Sequence, residues 1–351
     1  MYSAPVVEQL EELMALSGDV GGMLLGVWTP DSAYVSARGV ADRSTGTPLS
    51  SAHQFRTGSF TKALTGTIVL QLVQEGKIAL TDTLGMHARP CVENSRIPAI
   101  DGADRITVQM LLSHTTGIVD YMRLPHVASE IMNRRFRNWR PQELIQAAVD
   151  HGLTFRPGSQ FAYSNTNSIV AGMLLEQLTA HDYAHEITRR IFQPLALKRT
   201  TMPTCASLAP PFCRGYLKST GTTVEDWTER DPSMAWAAGG VVSTLEDLRH
   251  LSRALTDGTY LRPDMQQLRL QWWESLSAYD HDFPSFRYGL SLMNYGGFVG
   301  HSGAAIGYRC IAMHHPEKDT TIVIAFNSEP GKRVLDVMKD VVRVVCPDIR
   351  V

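Results

Sequence analysis

Strand-like segments occur near both ends of this chain, whereas helical patterns fill its middle. Near the N-terminus, residues 21–28 and 32–42 have the pattern of two strands joined by a turn at 29–32. Three more strands are predicted towards the C-terminus, at 288–294, 307–315 and 320–327. We therefore expect an α+β fold in which strands from both termini form one antiparallel β-sheet flanked by helices, with a separate all-helical lobe between them.

Helical periodicity places the other elements around this sheet. Long helices are predicted at about 7–17, 59–75, 244–255 and 334–345. Thr244 is a plausible N-cap of the third. Proline and glycine loops interrupt the helical pattern between about 80 and 235. The predicted division is a sheet domain of residues 1–58 and 237–351 and a mostly helical domain of residues 59–236.

The charge balance argues against two classes of partner. The chain has 33 basic and 35 acidic residues among 351, with no run of like charges, so it lacks the basic surface that nucleic acids require. Its longest apolar stretches are far shorter than the ~20 residues that cross a bilayer. The first residues are acidic rather than basic as in an export signal, which predicts a cytoplasmic protein. A secreted chain already trimmed of its signal would have the same composition.

The five cysteines indicate free thiols. Their number is odd and no CxxC pair occurs, so buried thiols are favoured over a disulfide framework. The cysteines are Cys91, Cys205, Cys213, Cys310 and Cys346.

Motifs for metals and nucleotides are absent from the sequence. His181 and His185 have helical i, i+4 spacing but lack the glutamate of HExxH, and His314 and His315 point to opposite faces of a predicted strand. Residues 300–304 (GHSGA) resemble the GxSxG elbow of α/β-hydrolases without its last glycine or its following helix. Neither nucleotide-binding glycine fingerprint occurs. We therefore expect no metal and no cofactor.

Ser59 and Lys62 form the first candidate catalytic pair. Ser59 follows Gly58 at the start of the long helix, and Lys62 lies about one turn further on the same face. A serine hydroxyl needs a base to remove its proton, and a lysine serves as that base when burial lowers its pKa. By itself the S-x-x-K spacing is expected by chance about once in a chain of this length, so an ordinary solvated helix start is the alternative.

Two further motifs complete a constellation of three. Tyr163 and Asn165 flank Ser164 at a turn before an apolar helix, where a phenol can relay protons and an amide can polarise a bound acyl group. His301, Ser302 and Gly303 introduce a predicted strand, where a small residue lets a substrate backbone pair along the edge. Taken alone, the first motif would be a capping turn and the second a turn with a satisfied histidine.

In the order S-x-x-K, Y-x-N, H-x-G, these motifs resemble the serine β-lactamase and penicillin-binding protein superfamily. The resemblance is greatest to the branch of class C β-lactamases, D-alanyl-D-alanine carboxypeptidases and D-aminopeptidases, and it covers about residues 8 to 345. Framework segments also look like that family: LLSHTTGI at 111–118, FRPGSQFAYSNTNSIVAGMLLEQL at 155–178, IFQPLALKRTTM at 191–202 and AAGGVVSTLEDLRHL at 237–251.

The resemblance implies an active site in the cleft between the two domains. Ser59 would attack an acyl carbon to form an acyl-enzyme, Lys62 and Tyr163 would share the proton transfers, and the backbone N–H groups of Ser59 and Ala304 would form the oxyanion hole. The substrate-binding residues it implies are Asn165, Trp236, His301, Ser302 and Gly303.

Departures from the family pattern bear on the substrate. Many relatives have K-T-G where this chain has His301, Ser302 and Gly303, and a mostly neutral histidine is a weaker partner for a substrate carboxylate than lysine. Related carboxypeptidases also have a strand arginine and a threonine where this chain looks to have Ser291 and Ala304. Arg287 and Arg309 are candidates to supply the missing charge, although surface positions are the ordinary expectation for both.

The leading hypothesis is a serine acyl-enzyme hydrolase that acts on an amide or ester of a small-molecule or peptide-like substrate, such as a D-amino-acid derivative. The main alternative is an acyltransferase, peptide cyclase or thioesterase-type enzyme of secondary metabolism that uses the same site, and no sequence rule separates the two. A more remote alternative is a binding protein without turnover, against which the intact Ser59, Lys62, Tyr163 and Asn165 argue. The sequence leaves the oligomeric state open.

Overall fold

A computed structural model describes residues 2–18, 20–87, 97–218, 222–274 and 286–350. The strands are β1 (Gly22–Trp28), β2 (Ala33–Asp42), β3 (Thr47–Pro48), β4 (Phe55–Arg56), β5 (Tyr216–Lys218), β6 (Val224–Asp226), β7 (Val242–Ser243), β8 (Trp273–Glu274), β9 (Phe286–Tyr288), β10 (Met293–Tyr295), β11 (Phe298–Ala305), β12 (Tyr308–His315) and β13 (Thr320–Phe326). The α-helices are α1 (Ala4–Met14), α2 (Thr61–Gln74), α3 (Leu84–His87), α4 (Val108–Leu112), α5 (Pro125–Asn133), α6 (Pro141–His151), α7 (Asn165–Thr179), α8 (Tyr183–Ile187), α9 (Trp236–Gly239), α10 (Leu245–Ala254), α11 (Pro263–Arg269) and α12 (Val334–Val345).

One large antiparallel sheet joins the two ends of the chain. Among the described residues it contains nine strands in the order β3-β2-β1-β13-β12-β11-β10-β9-β8. The first strand pairs with the last, with Met23 opposite Phe326 and Trp28 opposite Thr321. The α+β prediction, with a sheet built from both termini, is confirmed. The division into two domains stays a prediction.

Both faces of the sheet are covered by helices. Along β1, Met23, Leu25 and Val27 pack into the cluster that contains the buried residues of α1 and α12, whereas Leu24 joins the larger core around α2, α7 and α10. All seven residues of β1 are buried, which explains why its sequence is a continuous apolar run rather than an alternating one. The Thr244 hydroxyl accepts a hydrogen bond from the backbone N–H of Asp247, so the predicted N-cap of α10 is confirmed.

The predicted strand boundaries near the C-terminus were wrong at two places. The segment 288–294 is not one strand, because Gly289 donates a backbone hydrogen bond to Leu292 and Ser291 has a φ of 59°, a turn that separates β9 from β10. His301, Ser302 and Gly303 do not introduce a strand but lie inside β11. The glycines and alanines of β11 have low intrinsic strand propensity, so only pairing with its neighbours identifies it.

The structure shows which of the cysteines are buried. Cys213, Cys310 and Cys346 are free and buried, Cys205 is free but exposed, and Cys91 lies outside the described residues. The expectation of buried thiols was therefore wrong for Cys205.

No helix within the described ranges is both long enough and apolar enough to cross a membrane.

Candidate active site

Ser59 lies on a tight turn that its neighbour Gly58 makes possible. Residues Gly58–Phe60 form one 3₁₀ turn, and α2 begins only at Thr61. Gly58 has a φ of +53°, and a Cβ atom added to it would lie 2.4 Å from the carbonyl oxygen of Ala304. A side chain at position 58 would be strained and would clash, so glycine allows the Ser59 turn to approach β11 closely.

Lys62 lies beneath Ser59 and is almost fully buried. Its Nζ donates hydrogen bonds to Ser59 Oγ at 3.0 Å, to Asn165 Oδ1 at 2.7 Å and to the Ala238 carbonyl oxygen at 2.6 Å. The last two groups can only accept. When Lys62 is neutral, its two hydrogens satisfy those acceptors and its lone pair faces the Ser59 hydroxyl, the arrangement that removal of the serine proton requires.

The electrostatics of the site favour that neutral form. Burial lowers the pKa of Lys62 to about 7, and the negative charge of Asp120 opposes part of this effect. An amine with a pKa near neutrality is deprotonated in a substantial fraction of molecules at pH 7 and still holds a proton strongly enough to act as a base.

Asp120 is a component of the site that the sequence analysis missed. Its Oδ2 accepts a hydrogen bond from Asn165 Nδ2 at 2.8 Å, so Asn165 bridges the buried carboxylate and the Lys62 amine. Burial raises the pKa of the Asp120 carboxyl, and the hydrogen bonds and the Lys62 charge oppose this shift. Asp120 closely follows the LLSHTTGI segment, but nothing in a single sequence distinguishes it from a surface aspartate.

Tyr163 approaches Ser59 from the other side. Its hydroxyl interacts with the Ser59 side chain, and the Lys62 amine lies 5.1 Å from the centre of its ring. Burial raises the pKa of Tyr163 well above its ordinary value. The phenol therefore keeps its proton at neutral pH, which suits a proton donor or relay better than a base.

Behind Tyr163, a directed chain of hydrogen bonds runs through His114, Tyr288 and His301. The backbone N–H of Ser164 donates to His114 Nδ1 at 3.3 Å, so the proton of this neutral ring belongs on Nε2, which lies 3.2 Å from the Tyr288 hydroxyl. Tyr288 then donates to His301 Nε2 at 3.1 Å, and His301 Nδ1 donates to the Ser302 carbonyl oxygen at 2.5 Å. The sequence analysis did not assign a role to His114 or Tyr288.

His301 and Gly303, which were expected to contact the substrate, are held by contacts within the protein. His301 is 1% exposed, and burial together with the Lys62 charge lowers its pKa to about 3, so the ring is neutral as predicted but lies beneath the site. A Cβ added to Gly303 would lie 1.8 Å from the carbonyl oxygen of Thr57. The contact with Thr57 alone therefore requires glycine at this position, and a role of Gly303 in binding substrate stays a prediction.

The edge of β11 near Ser59 carries Ser302 and Ala304. Ser302 N–H donates to Met293 Sδ at 3.2 Å, which shows that it points towards β10 and away from β12. Alternation along the strand directs the N–H of Ala304 to the same side. On this side of β11, β10 pairs only with residues 298–300. The stretch of β11 around Ala304 therefore extends beyond the end of β10.

Ser59, Asn165 and Ala304 line one cleft of about 270 Å³. Its walls are largely apolar, with Met122, Met234 and Ile306, but they also carry Arg230, Arg309 and Glu329. The expectation that Arg309 is an ordinary surface side chain was wrong, because it lines this cleft and forms an ion pair with Glu329. Arg287 is exposed on β9 and is not part of the cleft lining.

Two residues singled out from the sequence lie elsewhere. Trp236, expected to bind substrate, does not line the Ser59 cleft; its ring packs against Tyr183, with centroids 5.2 Å apart, and against Gly172 of α7. Ser291 is buried in the turn before β10 and donates its backbone N–H to the Leu112 carbonyl oxygen. Neither position was identifiable from local sequence, because each side chain is directed by tertiary packing.

A group of possible metal ligands lies outside the cleft. His181, His185 and Glu186 offer ligand atoms within 4.8 Å of one another. The Glu186 carboxylate already accepts hydrogen bonds from Arg189 and Arg190, which compete with a cation for its oxygens. The absence of a metal stays a prediction.

The chain is similar to known proteins over most of its length. A family profile described as Beta-lactamase matches residues 6–345. The chain is 27% identical over 302 residues to Penicillin-binding protein 4 of Amycolatopsis lactamdurans, covering 82% of this chain and 76% of that protein. It is also 29% identical over 148 residues to Protein flp of Staphylococcus aureus (strain MW2), covering 42% of this chain and 28% of that protein.

Two solved structures are similar over nearly their full length. A D-stereospecific amidohydrolase from Streptomyces sp. has a TM-score of 0.84 and 28% identity, with 97% of this chain and 98% of the other covered. D-amino acid amidase from Ochrobactrum anthropi SV3, in complex with L-phenylalanine, has a TM-score of 0.80 and 25% identity, with 97% of each chain covered.

Proposed function

The chain belongs to the Beta-lactamase family and is a serine hydrolase that acts on amide bonds, and from this premise we propose that it releases D-amino acids from their amides through an acyl-enzyme on Ser59. The observation that carries the assignment of the nucleophile is the Lys62 amine, buried, with a pKa of about 7 and 3.0 Å from Ser59 Oγ. The D-amino-acid substrate class is supported by the similarity to a D-stereospecific amidohydrolase and a D-amino acid amidase.

In the proposed reaction, neutral Lys62 removes the proton of Ser59 as its oxygen attacks the amide carbon. The backbone N–H groups of Ser59 and Ala304 stabilise the negative charge on the carbonyl oxygen, typically by ~3 kcal/mol per donor. Tyr163, which is protonated before the reaction, donates that proton to the departing nitrogen, and the proton that Lys62 took from Ser59 replaces it on Tyr163. Water then attacks the ester, and the same groups return the proton to Ser59.

Ammonia release from D- and L-phenylalanine amide tests this function. We expect faster release from the D-enantiomer, together with an acyl adduct on the intact protein when a slow ester of the same amino acid is used. Adding hydroxylamine or an amino-acid ester as acceptor separates hydrolysis from acyl transfer. A faster reaction with the L-amide, or failure to hydrolyse either amide, would contradict the proposed substrate class.

Removing the charge of Asp120 should change the pH dependence. The Asp120 carboxylate raises the pKa of Lys62, so Asp120→Asn should lower that pKa and leave the amine neutral at more acidic pH. We expect the acidic limb of the kcat/KM profile, near pH 7 in the unmodified protein, to move down by about one pH unit.

Asp231→Asn is the matched control for that experiment. Asp231, like Asp120, caps a 3₁₀ turn through its side chain. It is not among the charges that shift the pKa of Lys62. Its substitution should leave the limb in place. An unchanged or upward-shifted limb in Asp120→Asn would remove Lys62 from the role of base.

A free C-terminal carboxylate on the substrate should weaken catalysis. His301 is neutral and buried, position 304 is alanine rather than threonine, and Ser291 lies away from the cleft. None of these three positions gives the leaving group a cation, and a carboxylate without one in a partly dry site is disfavoured. We expect kcat/KM for D-phenylalanyl-D-alanine amide, or for D-phenylalanine esters and amides, to exceed that for D-phenylalanyl-D-alanine by at least about 10-fold. Faster cleavage of the free dipeptide would show that a cation reaches the leaving group.

A further inference from the structure

Arg230 is a buried cation in the wall of the Ser59 cleft. Arg230 is 5% exposed, and its Nη1 contacts Met234 Sδ at 3.7 Å. Its Nε is buried and has no hydrogen-bond partner among the described residues. In the part of the chain that the structure describes, no carboxylate pairs with this guanidinium.

Two other buried arginines among the described residues, Arg56 and Arg190, are better satisfied. Arg56 donates to the carbonyl oxygens of Thr228, Ala206 and Arg230, and Arg190 pairs with Glu75 and Glu186. An uncompensated buried charge is costly, and most such groups acquire a partner within the protein. The cost is offset when a ligand brings the missing anion.

The surroundings of Arg230 favour an anion. Burial and the nearby positive charges of Arg56 and Arg309 lower its pKa to about 9, which leaves it charged at neutral pH. The Glu329 carboxylate in the same wall is already paired with Arg309. The cleft therefore carries one positive charge at Arg230 that no residue described there neutralises.

The position of the cleft indicates which part of the substrate meets this charge. The leaving nitrogen must lie near Tyr163, its proposed proton donor, and neither Tyr163 nor His301 is part of the cleft lining. The cleft extends instead from Ser59 and Ala304 towards Ile306, Met234 and Arg230. It is thus on the acyl side of the scissile bond.

We propose that this acyl-side cleft recognises a carboxylate on the side chain of the D-amino-acid part of the substrate through the Arg230 guanidinium. A guanidinium binds a carboxylate with two parallel hydrogen bonds, and the apolar walls around it strengthen that interaction. The inference deepens the proposed amide hydrolysis and rests on it for the direction of the substrate.

The kinetic test compares each acidic substrate with its neutral isostere: D-aspartic acid α-amide with D-asparagine amide, and D-glutamic acid α-amide with D-glutamine amide. We expect kcat/KM to be at least about 10-fold higher for the acidic member of one pair. In Arg230→Gln the acidic substrate should lose at least about 10-fold more kcat/KM than its neutral partner, so that the preference within the pair disappears. Arg253→Gln removes the same charge from an exposed residue paired with Asp319 and should keep the preference.

Binding gives a readout that does not depend on turnover. In a Ser59→Ala background, calorimetry should show tighter binding of D-glutamate or D-aspartate than of D-glutamine or D-asparagine, and Arg230→Gln should abolish the difference. Equal affinities, or a preference that survives Arg230→Gln, would overturn the inference. If no amide is hydrolysed but the acidic ligands bind through Arg230, the proposed function fails and the anion site stands.

Discussion

Replacing Ser59 with alanine should abolish amide turnover and covalent labelling while the protein stays folded. The substitution removes only the hydroxyl group, which supplies the proposed nucleophile and fills almost no core volume. Loss of a serine nucleophile costs at least about 10⁴-fold in kcat in comparable sites. Intact-mass measurement after treatment with a fluorophosphonate or an activated ester should show an adduct on the unmodified protein and none on Ser59→Ala.

Ser252→Ala is the matched control for this loss. Ser252 is also a buried serine and lies in α10, away from the cleft. Within the part of the chain that the structure describes, its hydroxyl has no hydrogen-bond partner. That variant should label and turn over normally. Acylation of Ser59→Ala at the same rate as the unmodified protein would assign the nucleophile elsewhere.

Lys62→Ala and Tyr163→Phe should each slow acylation by ~100-fold or more, the usual effect of losing a positioned proton-transfer group. Lys62→Ala removes the base and also leaves the Asn165 amide oxygen and the Ala238 carbonyl without the donor they share. Tyr163→Phe keeps the ring against His114 and removes only the hydroxyl that reaches Ser59. Single-turnover measurements with an ester substrate isolate this step.

Tyr183→Phe provides the comparison for the phenol. Tyr183 is a buried tyrosine whose hydroxyl bonds to Thr65 within the helical core, and burial raises its pKa in the same direction as that of Tyr163. If Tyr183→Phe and Tyr163→Phe acylate equally fast, the Tyr163 hydroxyl is structural. Near-normal acylation by Lys62→Ala would show the same for the lysine.

The sequence identified those site residues whose contacts depend on their spacing along the chain. Ser59 and Lys62 are three apart at a helix start, so their contact is nearly independent of the rest of the fold, and Asn165 begins the helix that the apolar pattern near it indicated. The order of elements predicted that the first and last strands share a sheet, because each has an apolar run too long to leave exposed.

The residues that the sequence did not identify belong to the site only because the tertiary structure buries them there. Asp120, His114 and Tyr288 are ordinary in sequence and become part of the site only because distant segments bury them beside Lys62, Tyr163 and His301. Arg230 belongs to the same class, since its lack of a counter-ion is a property of packing. Trp236 is the opposite case: the family resemblance implied a role in substrate binding, but its ring packs against Tyr183 and α7.

The pairing of β1 with β13 has a consequence for how the protein acquires its structure. Met23 lies opposite Phe326 inside the sheet, so that pairing must close a loop of nearly the whole chain. Such high contact order slows folding, because the entropy of loop closure is lost before the contacts form. On the ribosome, Ser59 and Lys62 emerge long before Ala304 and β13 are synthesised. A nascent chain therefore holds the reactive pair well before it has the strand that would complete the oxyanion hole.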